Sequence, residues 1–299
     1  MLVLLILLII VIIWMLYKNR KRHRFWSHFN TALAAWASVI TLFVTFLPQP
    51  TRIPWCTALC ILALICIVCC FYATHQTARK KRISLSISSN LRINISEGDI
   101  LQCKGIVVIP VNEYFDTKVD DVIIDKKTIH GQFVQRFFKN KEDVLYEKIE
   151  RALQKTKSSS DSCRKHFGAR TKKYELGTCA DVVVGNTRYV LFALTHFDKD
   201  DKAYLERSEF AEAIKRLMTH LSKVAGNHPV YMPLFGTGLS RLNRSHQRVL
   251  LHIIDTIDFS CPEAINAGLN IVIHPNAMKN INLNQVEDYF NDTFHEIRS

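Results

Sequence analysis

GIVVIPVN, residues 105–112, is an unbroken run of apolar and mostly β-branched side chains opened by a glycine. A strand wetted on one face alternates apolar with polar residues, so a continuous run marks a strand buried on both faces at the centre of a sheet. Outward from it, the stretch from Ile83 to Ile95 does alternate, which predicts half-buried β-structure. Further strands are expected at 181–184 (DVVV), 189–194 (YVLFAL), 229–234 (PVYMPL) and 269–273 (LNIVI). Helical periodicity falls between them. Phe210, Ile214, Leu217 and Leu221 recur at spacings of four, three and four within 206–225, and similar patterns cover 142–156, 245–258 and 284–297. Strands alternating with helices predict an α/β domain, a mixed sheet with helices on both faces, over residues 83–299. The polar segment 158–173, SSSDSCRKHFGARTKK, reads as a mobile loop.

Residues 1–82 have a different character. MLVLLILLIIVIIWMLY (1–17) contains no charge, and Phe29 to Leu47 and Trp55 to Tyr72 are two further apolar runs separated by PQPTRIP. At about 1.5 Å per helical residue these lengths approach the roughly 30 Å of a hydrocarbon core, so transmembrane helices are expected at about 1–17, 29–47 and 55–73. A cleaved signal peptide would instead start basic and end on a small-residue cleavage site, whereas here the cations from Lys18 to Arg24 follow the apolar run. No Asp, Glu or Lys interrupts a span, which argues against a transporter and for an anchor or a self-assembling bundle. Lys18, Arg20, Lys21, Arg22 and Arg24 on one side, Arg79, Lys80, Lys81 and Arg82 after the hairpin, and Arg52 alone in the turn set the orientation. With basic loops retained inside, the expected placement is a multi-pass cell-membrane protein whose C-terminal domain is cytoplasmic.

Most of the formal charge of +12 belongs to that front end. Residues 1–82 hold ten Lys/Arg and no acid, leaving 29 basic against 27 acidic residues in the rest. Without a basic excess the C-terminal part is not expected to bind nucleic acid. Five of the nine cysteines lie within the third apolar run, where they act as small hydrophobes, and no disulfide framework, metal-ligand spacing, P-loop or nucleophile elbow is present.

In an α/β domain ligands collect where the carboxyl ends of central strands meet loops and helix N-termini. Two segments fall there. VIPVN runs through EYFDT to IHGQF at 129–133, offering Asn112, Phe115, Asp116, Thr117, His130 and Gly131. PLFGTGLSR, 233–241, carries Gly236 and Gly238, which let a backbone approach a ligand and point amides at phosphate.

These residues resemble a known module. EGDI at 97–100, the VIPVN strand and the late PLFGTG loop are similar to the macro domain, an ADP-ribose-binding α/β fold, and VIPVNEYFDT with IHGQF behind a membrane hairpin looks like the macro-domain type of the ThsA effectors of bacterial Thoeris anti-phage defence. The resemblance implies that Asp99 accepts from the adenine amino group with Ile100 beside the base. It implies that Gly236, Thr237, Gly238, Leu239 and Ser240 wrap the diphosphate and distal ribose, with Asn112, Phe115, Asp116, His130 and Gly131 across the cleft. It further implies a TIR-domain partner acting through an NAD-derived signal, histidine-ADP-ribose being one form, and a homo-oligomer that disrupts the bilayer on activation. PVNEYFDT and HGQF stand where ADP-ribosyl hydrolases of the fold carry an Asn-rich strand end and a glycine run, so a reader without cofactor is expected. A membrane-tethered ADP-ribosyl hydrolase is the alternative, with Asn112, Asp116 and His130 as its candidate groups.

Overall fold

The computed structural model describes residues 2–20, 23–46, 54–88, 91–161, 164, 168–198, 202–236, 244–260 and 265–298. The chain divides into two units, Met1–Arg79 and Lys80–Ser299.

Among its described residues the first unit holds three helices, α1 (Leu2–Asn19), α2 (His23–Thr45) and α3 (Trp55–Gln76). All three apolar runs are therefore helical, the second beginning six residues earlier than its apolar character suggests. Helix α3 packs against both others. Phe25 and Phe29 of α2 bury against Cys69, Cys70 and Ala73 of α3, and small side chains let the two backbones approach. Most other large apolar residues face outward, Leu42 at 65% and Phe71 at 70% exposure among them. Among the described residues one stretch, Thr57–Gln76, is long and apolar enough to cross a membrane by length and composition, and Ile6–Asn19 is a shorter apolar helix. Ser38 and Thr41 donate to the carbonyls of Ala34 and Ala37, which leaves no hydroxyl of that turn unsatisfied. Lys21, Arg22 and most of PQPTRIP lie outside the described residues.

The second unit is a mixed sheet between two helical layers. Its strands are β1 (Arg82–Ser88), β2 (Leu91–Glu97), β3 (Ile106–Asn112), β4 (Ser159–Ser160), β5 (Lys172–Lys173), β6 (Cys179–Val184), β7 (Thr187–Phe197), β8 (Ala203–Tyr204), β9 (Val230–Pro233) and β10 (Leu269–Ile273). Its helices are α4 (Ile129–Phe137), α5 (Glu142–Ala152), α6 (Arg207–Val224), α7 (His246–Phe259), α8 (Pro275–Met278) and α9 (Leu283–Arg298). The order across the sheet is β1-β2-β10-β9-β3-β7-β6, with β8 on β7 and β4 paired with β5 apart from it. Pairings from β2 through β7 are parallel, and β1 and β6 add antiparallel edges.

The run that opened the sequence reading occupies the middle of this sheet. Ile106 and Val108 join the core under α6, α7 and α9, while Val107, Ile109 and Val111 join the core under α4 and α5. Burial on both faces is what an unbroken apolar strand requires, and each fully buried side chain of this size stabilises by roughly 1.5–3 kcal/mol. The alternation between Ile83 and Ile95 is two strands, β1 and β2, paired antiparallel with Ile83 opposite Ile95. One expectation is corrected: the described residues of 158–173 are anchored. Ser159 and Ser160 pair with Lys173 and Lys172, the Tyr114 hydroxyl donates to Asp161 over 2.7 Å, and Arg164 and Arg170 reach Asp116. Polarity suggested a loop free in solvent, but Asp161, Arg164 and Arg170 spend polar groups on the buried Tyr114 and Asp116.

Candidate functional site

Strand β9 pairs with β3 only at Ile106↔Val230 and Val107↔Tyr231, then continues beside β10 to Pro233. Strands β3 and β9 therefore part toward their carboxyl ends. The connection leaving β3 leads to β6 and β7 on one side, and that leaving β9 leads to β10 on the other. That divergence is a topological switch point, the place where an open α/β sheet leaves a crevice for a ligand.

Three strand ends furnish its rim. After β2, Gly98 donates its amide to the Ile273 carbonyl over 3.0 Å, and a Cβ there would come within 3.2 Å of Val272 Cγ1. Asp99 follows as the N-cap of a single 3₁₀ turn, Ile100–Gln102. Its Oδ1 accepts from the Leu101 amide over 3.0 Å and its Oδ2 from Gln102 Nε2 over 3.1 Å. The carboxylate is held in one orientation yet exposed, with lone pairs left for a further donor. Ile100 turns inward to the core under α4 and α5. After β9, Phe235 packs on Phe192 with ring centroids 5.5 Å apart. Gly236 then adopts φ +74°, a left-handed turn that favours glycine. Thr237, Gly238, Leu239 and Ser240 lie outside the described residues.

The end of β3 is built differently. A register shift between Val111 and Asn112 sets Asn112 opposite Thr195, a bulge that re-aims the strand end. Asn112 is buried, its Oδ1 accepting from the Tyr114 amide over 3.0 Å and its Nδ2 donating to Asp116 Oδ2 over 3.0 Å. Asp116 is wholly buried and also accepts from Arg164 Nη1 over 3.0 Å and from the Arg170 amide over 2.8 Å. Burial pushes its carboxyl above the usual range, against the pull of Arg164, the Arg170 amide and Asn112. Phe115 is buried at φ +53°, edge-on to Tyr174. Asn112, Phe115 and Asp116 are thus gathered in the interior, where Asn112 binds Asp116 and Asp116 binds the two arginines.

Helix α4 opens with Thr128, whose Oγ1 accepts from the Gly131 amide over 2.9 Å. A Cβ on Gly131 would lie 2.3 Å from the Asp125 carbonyl oxygen, so glycine is demanded by the chain's own packing against the preceding turn. His130 is buried and its Nε2 meets no hydrogen-bond partner among the described residues. Burial lowers its pKa from 6.5 to about 4, so the ring is neutral near pH 7.

Residues the sequence reading passed over complete the strand end. Glu113 is fully buried, accepting from the Phe197 amide over 3.1 Å, beside Lys173 Nζ at 3.3 Å and in contact with His196. A charged residue directly after an apolar strand was the available signal for Glu113. Arg164 and Arg170 carried none, because their partners lie 48 and 54 residues away. Among the described residues no group of three His, Cys, Asp or Glu could hold a metal ion.

The chain is 28% identical over 263 residues to Thoeris protein ThsA of Bacillus amyloliquefaciens (strain Y2), covering 84% of each. Among solved structures, a glycine-substituted variant of the Oceanobacillus iheyensis macrodomain with ADPR covers 69% of this chain and 99% of its own at 12% identity and TM-score 0.48. The macrodomain of Mycobacterium tuberculosis DarG covers 61% and 97% at 18% identity and TM-score 0.38. The family described as Thoeris protein ThsA, Macro domain, matches residues 93–274, more than half of the chain, and the protein belongs to it.

Proposed function

We propose that this protein is a membrane-anchored effector of bacterial antiviral defence whose macro domain reads an ADP-ribose-derived nucleotide. A TIR-domain partner makes that signal from NAD, and histidine-ADP-ribose is one candidate form. The adenine amino group donates to Asp99 and the diphosphate lies against the loop that begins at Gly236. Helices α1 to α3 anchor the chain in the cell membrane with the macro domain in the cytoplasm, and nucleotide binding drives their assembly into a membrane-disrupting oligomer. A ligand shifts such an equilibrium only by its differential affinity, and moving it from 1:99 to 99:1 takes about 5.5 kcal/mol.

The observation that carries the reading is the parting of β3 and β9 at the switch point, with an oriented, exposed carboxylate at Asp99 and a left-handed glycine at Gly236 on its rim. A reader rather than a hydrolase is supported by the groups a hydrolase would need: Asn112 donates to Asp116, Asp116 is also taken by Arg164, and His130 is buried. Calorimetric titration of the full-length protein with ADP-ribose and its amino-acid conjugates tests the proposal. Saturable binding without turnover is expected, weakened about 10- to 100-fold by Asp99→Ala, the loss of one charged hydrogen bond. Equal binding by the variant, or turnover of the nucleotide, contradicts it.

A further inference from the structure

One imidazole joins the turn after β3 to the first turn of α6. His196, near the end of β7, contacts Glu113 Oε2 through Nδ1, and its Nε2 lies 3.0 Å and 3.2 Å from the two oxygens of Glu209. The other Glu113 oxygen is taken by the Phe197 amide and faces Lys173. Tyr204 of β8 stacks obliquely on the ring at 5.3 Å. An open cleft of about 680 Å³ runs beside this trio, and the remaining charged groups on its wall are Lys157, Glu175, Glu212 and Arg216. Arg216 is engaged by Glu175 and Glu212.

A neutral imidazole has one N–H and can donate to one carboxylate, whereas an imidazolium donates to both. Both nitrogens of His196 face carboxylates, and Glu113 is fully buried, where the loss of a donor is costly. Glu113 directly follows Asn112, so whatever fixes Glu113 fixes the strand end that walls the nucleotide crevice.

We infer that His196 is a positioning residue for the nucleotide site: as the imidazolium it clamps α6 to the turn after β3, and its deprotonation releases one carboxylate and loosens that wall. This rests on the nucleotide-binding reading above. The contact with Glu113 first, and that with Glu209 next, hold the imidazole above its usual 6.5, with burial acting against them. A raised folded-state pKa means that the clamp's stabilisation is complete below about pH 6.5 and is lost as pH rises through the folded-state value.

The test follows thermal unfolding of the full-length protein between about pH 6 and pH 9 for the wild type, His196→Gln and Glu209→Gln, with ADP-ribose titrations at both ends of the range. The melting-temperature advantage of the wild type over His196→Gln is expected to shrink as pH rises. Glu209→Gln, a half-exposed position that leaves the fold intact, is expected to move the midpoint of that loss to lower pH. Affinity for ADP-ribose is expected to fall several-fold with rising pH in the wild type and to stay level in His196→Gln. Parallel melting curves, or an affinity equally pH-dependent in wild type and variant, overturn the clamp. Absence of ADP-ribose binding at both pH values, with the melting curves behaving as described, overturns the nucleotide reading instead.

Discussion

At the scale of single residues, two buried groups make opposite demands on pH. His130 sits in the first turn of α4, where burial opposes a charge and its Nε2 meets no partner among the described residues. Its pKa falls from 6.5 to about 4, so the stabilisation due to the neutral ring is present above pH 6.5 and is lost as pH falls toward 4, up to about 3 kcal/mol. Asp116 offsets part of this, because its raised carboxyl takes up a proton more readily in the folded chain. Replacing His130 with Phe is expected to flatten the acid limb of the pH–stability profile, measured by denaturant unfolding. A wild-type slope retained in the variant would assign the acid sensitivity elsewhere. Gly131 is the other position where a single atom decides the outcome. A methyl group there meets the Asp125 carbonyl oxygen at 2.3 Å, and Gly131→Ala is expected to cost about 1–3 kcal/mol by overpacking, read as a lowered denaturant midpoint with unchanged slope.

At the scale of elements, the segment after α5 is tied to the end of β3 by Asp116, and the tie joins residues distant in sequence. Removing one partner of a buried ion pair leaves the other charge uncompensated, so Asp116→Ala is expected to destabilise by about 3–5 kcal/mol and to expose 158–173 to proteolysis. Limited digestion comparing this variant with the wild type checks it, and an unchanged cleavage pattern in that segment would sink the idea. The same element shows where sequence was readable. The β3 run, the alternation of β1 and β2, and α6 with Phe210, Ile214 and Leu217 were legible because side-chain period follows directly from which faces are buried. Residues 158–173 were not, since polarity is the same whether a group meets water or a buried partner. Helix α4 escaped notice as well: IHGQF is short, contains glycine, and is held as a helix by its Thr128 cap and by Phe133 in the core, a tertiary override of weak propensity. Asp99, Asn112 and Gly236, singled out by motif, lie at the ends of β2, β3 and β9. The burial of Asp116 could not be read, because it depends on arginines that no local pattern links to it.

At the scale of the whole molecule, the charge distribution and the two-unit division point the same way. Ten of the twelve excess positive charges lie in residues 1–82, and the structural boundary falls at Arg79/Lys80, within the basic cluster that follows α3. A unit with most of its large apolar side chains outward suits a lipid solvent better than water, so under the proposed function the full-length protein is expected in the alkali-resistant membrane fraction on cell fractionation. Coupling between a nucleotide site in one unit and an action of the other is the claim on which the account turns. Reconstitution of the full-length protein into dye-loaded liposomes tests it most directly: ADP-ribose or histidine-ADP-ribose is expected to trigger dye release from vesicles carrying the wild type and none from those carrying Asp99→Ala, whereas release that is independent of nucleotide, or identical in the two proteins, would contradict it.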